Sequence, residues 1–132
     1  MKVSNVATKF VTKHLGGLLN CMNLIHYTIT VSFGKLRGAT MQIEVDHRYL
    51  DAEITVDTKQ LLEHWKNGQR RKILCSLAHE LTHIITSEQS DPFQTKEEDP
   101  KKMSKLQHHF EERVTEHISK LVVRLYLLEN KL

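Results

Sequence analysis

Apolar residues recur along this chain with two different periods, and the change of period marks its elements. Over residues 4–19 they have helical spacing, and Ser4 is a suitable N-cap. Residues 27–33, 39–45 and 50–56 alternate instead between apolar and polar side chains and are rich in β-branched residues. Turn-forming residues separate these three stretches. We therefore expect a first helix followed by a small three-stranded antiparallel meander.

Helical spacing returns after the strands and continues towards the C-terminus. A short helix is predicted over residues 59–65 and a longer one over residues 70–86. Residues 87–104 are polar and contain two Asp-Pro pairs, which predicts a long mobile loop. The last helix is expected to begin at Met103 or Lys105 and to end near Glu129. No repeat or linker divides the chain, so residues 1–132 are predicted to form a single α+β domain.

Composition and charge argue against several classes of protein. Of the 132 residues, 39% are hydrophobic and 27% are charged, which is typical of a globular protein. The net charge of +3 is small and the basic residues are dispersed, so no nucleic-acid partner is expected. No stretch has the pattern of a signal peptide or a membrane span, and the two cysteines form no disulfide framework. These features predict a cytoplasmic protein without a membrane partner; they leave the oligomeric state open.

The sequence His79-Glu80-Leu81-Thr82-His83 lies inside the longer predicted helix and reads H-E-x-x-H. Helix positions four apart share one face about 6 Å from each other, so both imidazoles can bind one Zn²⁺ through Nε2. Glu80 is placed beside the first ligand, where it can act as a general base. The apolar residues of this segment fall on the opposite face; they are Leu74, Leu77, Leu81, Ile84 and Ile85. The motif predicts a zinc site on the open face of a packed helix.

The stretches HELTH, at residues 79–83, and EERVTEH, at residues 111–117, together resemble the small gluzincins among the zincin metallopeptidases. The likeness is to minigluzincins and phage-type H-E-x-x-H enzymes. It implies a zincin-like fold and a zinc-dependent endopeptidase that uses zinc-activated water, with Glu80 as general base. It also implies a protein or peptide substrate bound in extended form along an edge strand, expected to be residues 50–56 or whichever strand is the exposed edge. The metzincin class is excluded, because Thr86 and Gln89 replace its Gly and His.

The third zinc ligand is not settled by the motif alone. Gluzincins take it from an E-x-x-x-D pattern on a later helix, which Glu112 and Glu116 match with Glu in place of Asp. On a helical wheel Glu112 lies roughly 150° from the apolar stripe, as the histidines do from theirs, whereas Glu111 lies nearer that stripe. We therefore predict Glu112, with Glu111 as the fallback. Glu116 can orient a histidine through its second ring nitrogen, and His117 is a possible donor beside the cleft.

Three alternatives stay open at this stage. SprT-like metallopeptidases use a third histidine, for which His108 and His109 are the candidates. A second possibility is a catalytically weak or inactive metal-binding regulatory module that acts on a protein partner such as a repressor. A third is DNA-associated proteolysis of the Spartan type, which needs a basic surface that the dispersed charges do not indicate.

Overall fold

A computed structural model describes residues 3–89 and 100–130, with side-chain environments for residues 5–86 and 109–128. Within these ranges it contains four helices and one three-stranded sheet, which confirms the α+β class. The elements in chain order are α1 (Val3–Cys21), β1 (Thr28–Gly34), β2 (Met41–Asp46), β3 (Asp51–Asp57), α2 (Thr58–Lys66), α3 (Arg70–Gln89) and α4 (Pro100–Asn130).

The sheet is mixed, so the predicted antiparallel meander is wrong. Its order is β1-β3-β2: β1 runs parallel to β3, and β2 runs antiparallel to it. The connection between β1 and β2 passes the end of β3, where the Asp57 carboxylate accepts the Leu36 N–H at 2.8 Å. The same carboxylate accepts the Gln60 N–H at 2.9 Å as the N-cap of α2. Alternation specifies which face of a strand is buried, but it does not specify which strand lies beside it.

This topology corrects the predicted substrate strand. Residues 50–56 coincide with β3, which is central and has no free edge, and the described edge strands are β1 and β2. The Asp57 N–H donates to the Thr40 carbonyl at 2.8 Å, which makes residues 40 and 57 a hydrogen-bonded pair. In an antiparallel ladder such pairs alternate with non-hydrogen-bonded ones. Met41, Ile43 and Val45 therefore direct their backbone N–H and C=O groups towards the outer edge of β2.

Helix α3 lies at the centre of the packing, in contact with α1, α2, α4 and β2. Its residues Leu74, Leu77, Leu81 and Ile84 are at most 2% exposed, which confirms the predicted buried face, and Ile85 is half-buried. Burying each of these side chains stabilises the fold by roughly 1.5–3 kcal/mol before the loss of conformational entropy. The opposite face of α3 is left free to carry polar chemistry.

The predicted loop at residues 87–104 is shorter than expected. Helix α3 continues to Gln89 and α4 begins at Pro100, so residues 87–89 and 100–104 are helical, and the remainder lies outside the described residues. Proline is favoured at the first position of a helix, because its missing N–H would have no intrahelical partner there.

None of the described helices has the length and apolarity needed to cross a bilayer.

Helix α1 continues through Gly16 and Gly17 to Cys21, beyond the end predicted at residue 19. A Cβ atom on Gly17 would lie 2.5 Å from the Tyr126 hydroxyl, whereas nothing lies within 4 Å of the corresponding position on Gly16. Tyr126 is buried, and its hydroxyl is 2.6 Å from Nδ1 of His14. The absent side chain of Gly17 thus lets α1 pack against the Tyr126 ring on α4.

Alanine substitutions at these two neighbouring glycines are expected to change the free energy of unfolding in opposite directions. Gly16→Ala should raise the free energy of unfolding by about 0.5–1 kcal/mol, because glycine is unfavourable inside a helix. Gly17→Ala gains the same propensity but forces the Tyr126 ring to move, with an expected net cost of about 1–3 kcal/mol. Chemical denaturation of the two variants tests this. Equal effects at both positions would contradict the close approach of α1 and α4.

The buried His14 makes stability depend on pH. Burial, with a smaller contribution from Lys13, lowers the pKa of His14 below its usual 6.5. At this residue the unfolded chain then binds more protons than the folded one just below pH 6.5, so the contribution of His14 to the free energy of unfolding decreases as the pH falls through that range. We expect His14→Gln to remove this contribution between pH 7.5 and 5.5, measured as the difference from wild type in metal-free protein. The same substitution at the exposed His26 is the control, and an unchanged slope in His14→Gln would contradict the assignment.

Candidate metal centre

Small residues bring α3 and α4 together. Ala78, Thr82 and Thr86 on α3 and Thr115 and Ser119 on α4 are all buried. The hydroxyls of Thr86 and Thr115 lie 3.0 Å apart across the interface, and the Thr82 hydroxyl donates to the Ala78 carbonyl at 2.7 Å. Small side chains at the contact allow helix axes to approach closely. The longer polar side chains on one flank of this interface consequently meet.

The side chains that meet are those of His79, His83 and Glu112. Glu112 Oε1 lies 3.0 Å from His83 Nε2, and Glu112 Oε2 lies 3.4 Å from His79 Nε2. One ligand atom from each of the three residues lies within 4.8 Å of the others. Ligands at 2.0–2.1 Å from a tetrahedral zinc are about 3.3 Å apart, so the two His–Glu separations already suit that ion. Two imidazoles and one carboxylate are also a donor set that zinc favours.

Two further carboxylates contact the other ring nitrogens. Glu111 Oε1 lies 3.1 Å from His83 Nδ1, within hydrogen-bond distance. Glu116 Oε2 lies 3.6 Å from His79 Nδ1, which is an ion-pair separation too long for a hydrogen bond. An Nδ1–H donated to a carboxylate leaves the lone pair on Nε2, the atom that faces Glu112. Such outer carboxylates orient metal-binding histidines and make them better ligands.

Glu80 is half-buried beside these groups. Burial raises the pKa of its carboxyl to about 7; the neighbouring His83 lowers it and Glu112 raises it further. A dication bound between the histidines would lower this pKa and favour the ionised carboxylate. Glu80 contributes no atom to the three-residue group, so it is free to exchange a proton with a molecule in the cleft.

A cleft of about 310 Å³ opens beside the three-residue group. Its walls come from the start of β2, from the free face of α3 and from α4; the lining residues are Ala39, Thr40, Met41, Lys72, Cys75, Ser76, His79, Glu80 and Glu116. Met41 is also the first residue whose backbone groups point to the outer edge of β2. The cleft therefore joins an open strand edge to His79 and Glu80.

The structure does not bring every predicted residue into this site. His117 is exposed, and it does not line the cleft. His109 is exposed and lies outside the His79–His83–Glu112 group, which is the one group among the described side chains whose atoms could hold a metal ion. The side chain of His108 lies outside the described residues. Cys75 is half-buried and lines the cleft.

Sequence reasoning missed three contributors to the site. Glu111 was weighed only as a substitute ligand, although a second histidine ring needs its own acceptor at Nδ1. The small residues at the α3–α4 contact recur every four positions, as in Ala78, Thr82 and Thr86, and that spacing is a readable signal of helix contact. The third contributor is β2, for which the sequence offers no signal, because strand order is a property of the whole sheet.

No protein-family model matches this chain, and no curated protein or solved structure does so either. The resemblance to gluzincins therefore depends on residues 79–83 and 111–117. Those two segments carry the candidate chemistry, and the contact of α3 with α4 brings them together.

Proposed function

We propose that this protein is a zinc-dependent metalloendopeptidase of the gluzincin type, with a zincin-like arrangement of its sheet and helices. The proposal depends on one observation. Each carboxylate oxygen of Glu112 lies within 3.4 Å of one histidine Nε2 atom, Oε1 near His83 and Oε2 near His79, and Glu80 lies in the adjoining cleft. His79, His83 and Glu112 would hold the zinc. Glu111 and Glu116 would orient the two imidazoles.

These positions give the metal and Glu80 separate roles in the proposed hydrolysis. Zinc held there would supply Lewis acidity, which would polarise a peptide carbonyl and lower the pKa of water. Glu80 accepts a proton from the attacking water as the water oxygen adds to the carbonyl carbon. Glu80 then returns that proton to the leaving nitrogen as the C–N bond breaks, so one carboxylate serves as base and as acid.

The proposed substrate is an extended peptide laid along the outer edge of β2. The backbone groups of Met41, Ile43 and Val45 face that edge and can pair with a substrate strand. The pairing would lead the substrate backbone past Met41 into the cleft beside His79 and Glu80. Backbone pairing is independent of side-chain identity, which suits an endopeptidase acting on unfolded segments.

The direct test is metal content together with hydrolysis. We expect about one zinc per chain by elemental analysis of the purified protein, and loss of that zinc in His79→Ala and in His83→Ala. Because the ligands join two helices, added zinc should raise the melting temperature and a chelator should reverse the rise. His26→Ala, at an exposed position outside the site, is the control. Protein that is isolated without metal and takes up no zinc at micromolar concentration would contradict the proposal.

The regulatory-module alternative shares the same metal ligands, so zinc binding alone cannot separate the two. They differ in Glu80, which only hydrolysis requires. A holo-protein that never cleaves an unfolded protein or a peptide library, although it binds zinc, would favour the regulatory module.

A further inference from the structure

The described side chains of helix α4 form two apolar faces, and one of these is packed. Val123 and Tyr126 are buried against the rest of the fold. On the far side of the same helix Phe110, Leu121, Leu125 and Leu128 are 70%, 58%, 55% and 70% exposed. Four large apolar side chains at this exposure on one helix are unusual for a surface that contacts only water.

The exposed residues form a continuous stripe. Together with the half-buried Val114, their spacing of 4, 7, 4 and 3 residues keeps all five within about 60° of the helical wheel. We call these residues, Phe110, Val114, Leu121, Leu125 and Leu128, the outer stripe of α4. Over 18 residue steps it extends about 27 Å, which is long enough to hold a partner helix of five turns.

One flank of the outer stripe is basic. Arg113, Lys120 and Arg124 are exposed and follow the stripe along one side. The glutamates of α4 lie elsewhere: Glu111, Glu112 and Glu116 contact the histidines of α3, and Glu129 has a position on the opposite flank near the end of the helix. The surface therefore combines a narrow apolar line with positive charge on one side.

We propose that the outer stripe of α4 binds an amphipathic helix of a partner protein that carries acidic residues along one flank. The outer stripe would pack against the apolar face of the partner helix, as between two helices of a coiled coil. The acidic flank of the partner would face Arg113, Lys120 and Arg124. This inference is independent of the metal centre and extends to a protein partner rather than a substrate.

The charges beside the outer stripe disfavour its two other possible partners, which are a second copy of this chain and a membrane surface. A second copy packed antiparallel would set the basic flank against the same flank of its partner, which is repulsive. A parallel copy would set it against the flank that carries Ile118 and Val122; of the two glutamates there, Glu111 already contacts His83, which leaves Glu129 alone to face three basic side chains. An anionic membrane surface favours a wide apolar face with basic residues on both sides, whereas this stripe is narrow and basic on one side only.

A peptide-display selection on the full chain tests the proposal. The library fixes leucines at helical spacing over 16 residues and randomises the flanking positions. We expect selected peptides to be enriched in Asp and Glu on one flank. A synthetic selected peptide should bind wild type roughly tenfold more tightly than Lys120→Glu/Arg124→Glu, since two exposed charge pairs contribute about that factor. Leu121→Ser/Leu125→Ser should abolish binding.

Lys9→Glu/Lys13→Glu is the matched control, because it makes the same change of charge at the same spacing on the exposed face of α1. It should leave peptide binding unchanged. Four results would overturn the proposal: no enrichment of acidic flanks, equal binding by both charge variants, self-association that Leu121→Ser/Leu125→Ser removes, or stripe-dependent binding to phosphatidylglycerol vesicles without peptide binding. The third would indicate a second copy and the fourth a membrane surface.

Discussion

Glu80→Gln is expected to retain zinc and to lose peptide hydrolysis by roughly 10²–10⁴-fold, the usual contribution of a positioned acid–base group. The amide has the shape of the carboxylate but cannot accept the proton of the attacking water. Glu80 lies in the cleft and outside the three-residue group, so its replacement should leave the metal ligands in place. The measurement is the rate of cleavage of an unfolded protein, with zinc content determined on the same preparation.

Glu63→Gln is the control for Glu80→Gln, because it makes the same change at an exposed position on α2. It should cleave at the wild-type rate. If Glu80→Gln also cleaves at that rate, another group is the base and the proposed mechanism is wrong. If Glu80→Gln has lost its zinc as well, the activity cannot be interpreted and Glu80 belongs to the metal site itself.

Glu112→Ala is expected to cause the largest loss of zinc affinity among the carboxylate variants, roughly 10³-fold or more. Both Glu112 oxygens face the histidine Nε2 atoms at 3.0 and 3.4 Å, and without them only two ligands remain. Glu111→Ala and Glu116→Ala should each weaken zinc binding by about 10–100-fold, because they contact the Nδ1 atoms and only orient the rings. Of these two, Glu111 makes the shorter contact and should have the larger effect.

A competition titration against a chromophoric chelator ranks these variants, with the exposed Glu53→Ala as the control. If Glu111→Ala is the metal-free variant, the ligand assignment is wrong although the gluzincin proposal survives. If His109→Ala or His108→Ala alone loses zinc, the SprT-like alternative replaces it. Equal and small losses in all three glutamate variants would mean that the cluster is not a zinc site.

Local periodicity was sufficient to predict the helix that carries the motif and the face that this helix buries. His79 and His83 are four residues apart, and on any α-helix that spacing sets them on one face, while Leu74, Leu77 and Leu81 fall on the other. On α4 the same rule grouped the side chains correctly, but the face expected to be packed is the exposed one. Phe110, Leu121 and Leu128 are exposed, whereas Glu112 lies on the side of the buried Ser119 and Val123. Glu112 reaches the histidines because that side of α4 packs against α3.

The contacts between elements were decided only by the tertiary structure. Alternation identified all three strands, but it did not indicate that β3 lies between β1 and β2, with the β1–β2 connection hydrogen-bonded to Asp57 at the end of β3. That placement, a long-range pairing with no local signal, makes β2 the edge beside the cleft. The contact of Glu111 with His83 likewise requires α3 and α4 to meet through Thr86 and Thr115, which are 29 residues apart in the chain. The sequence by itself determined which side chains share a face of each helix; packing between the helices determined which face of α4 is buried and which side chains meet.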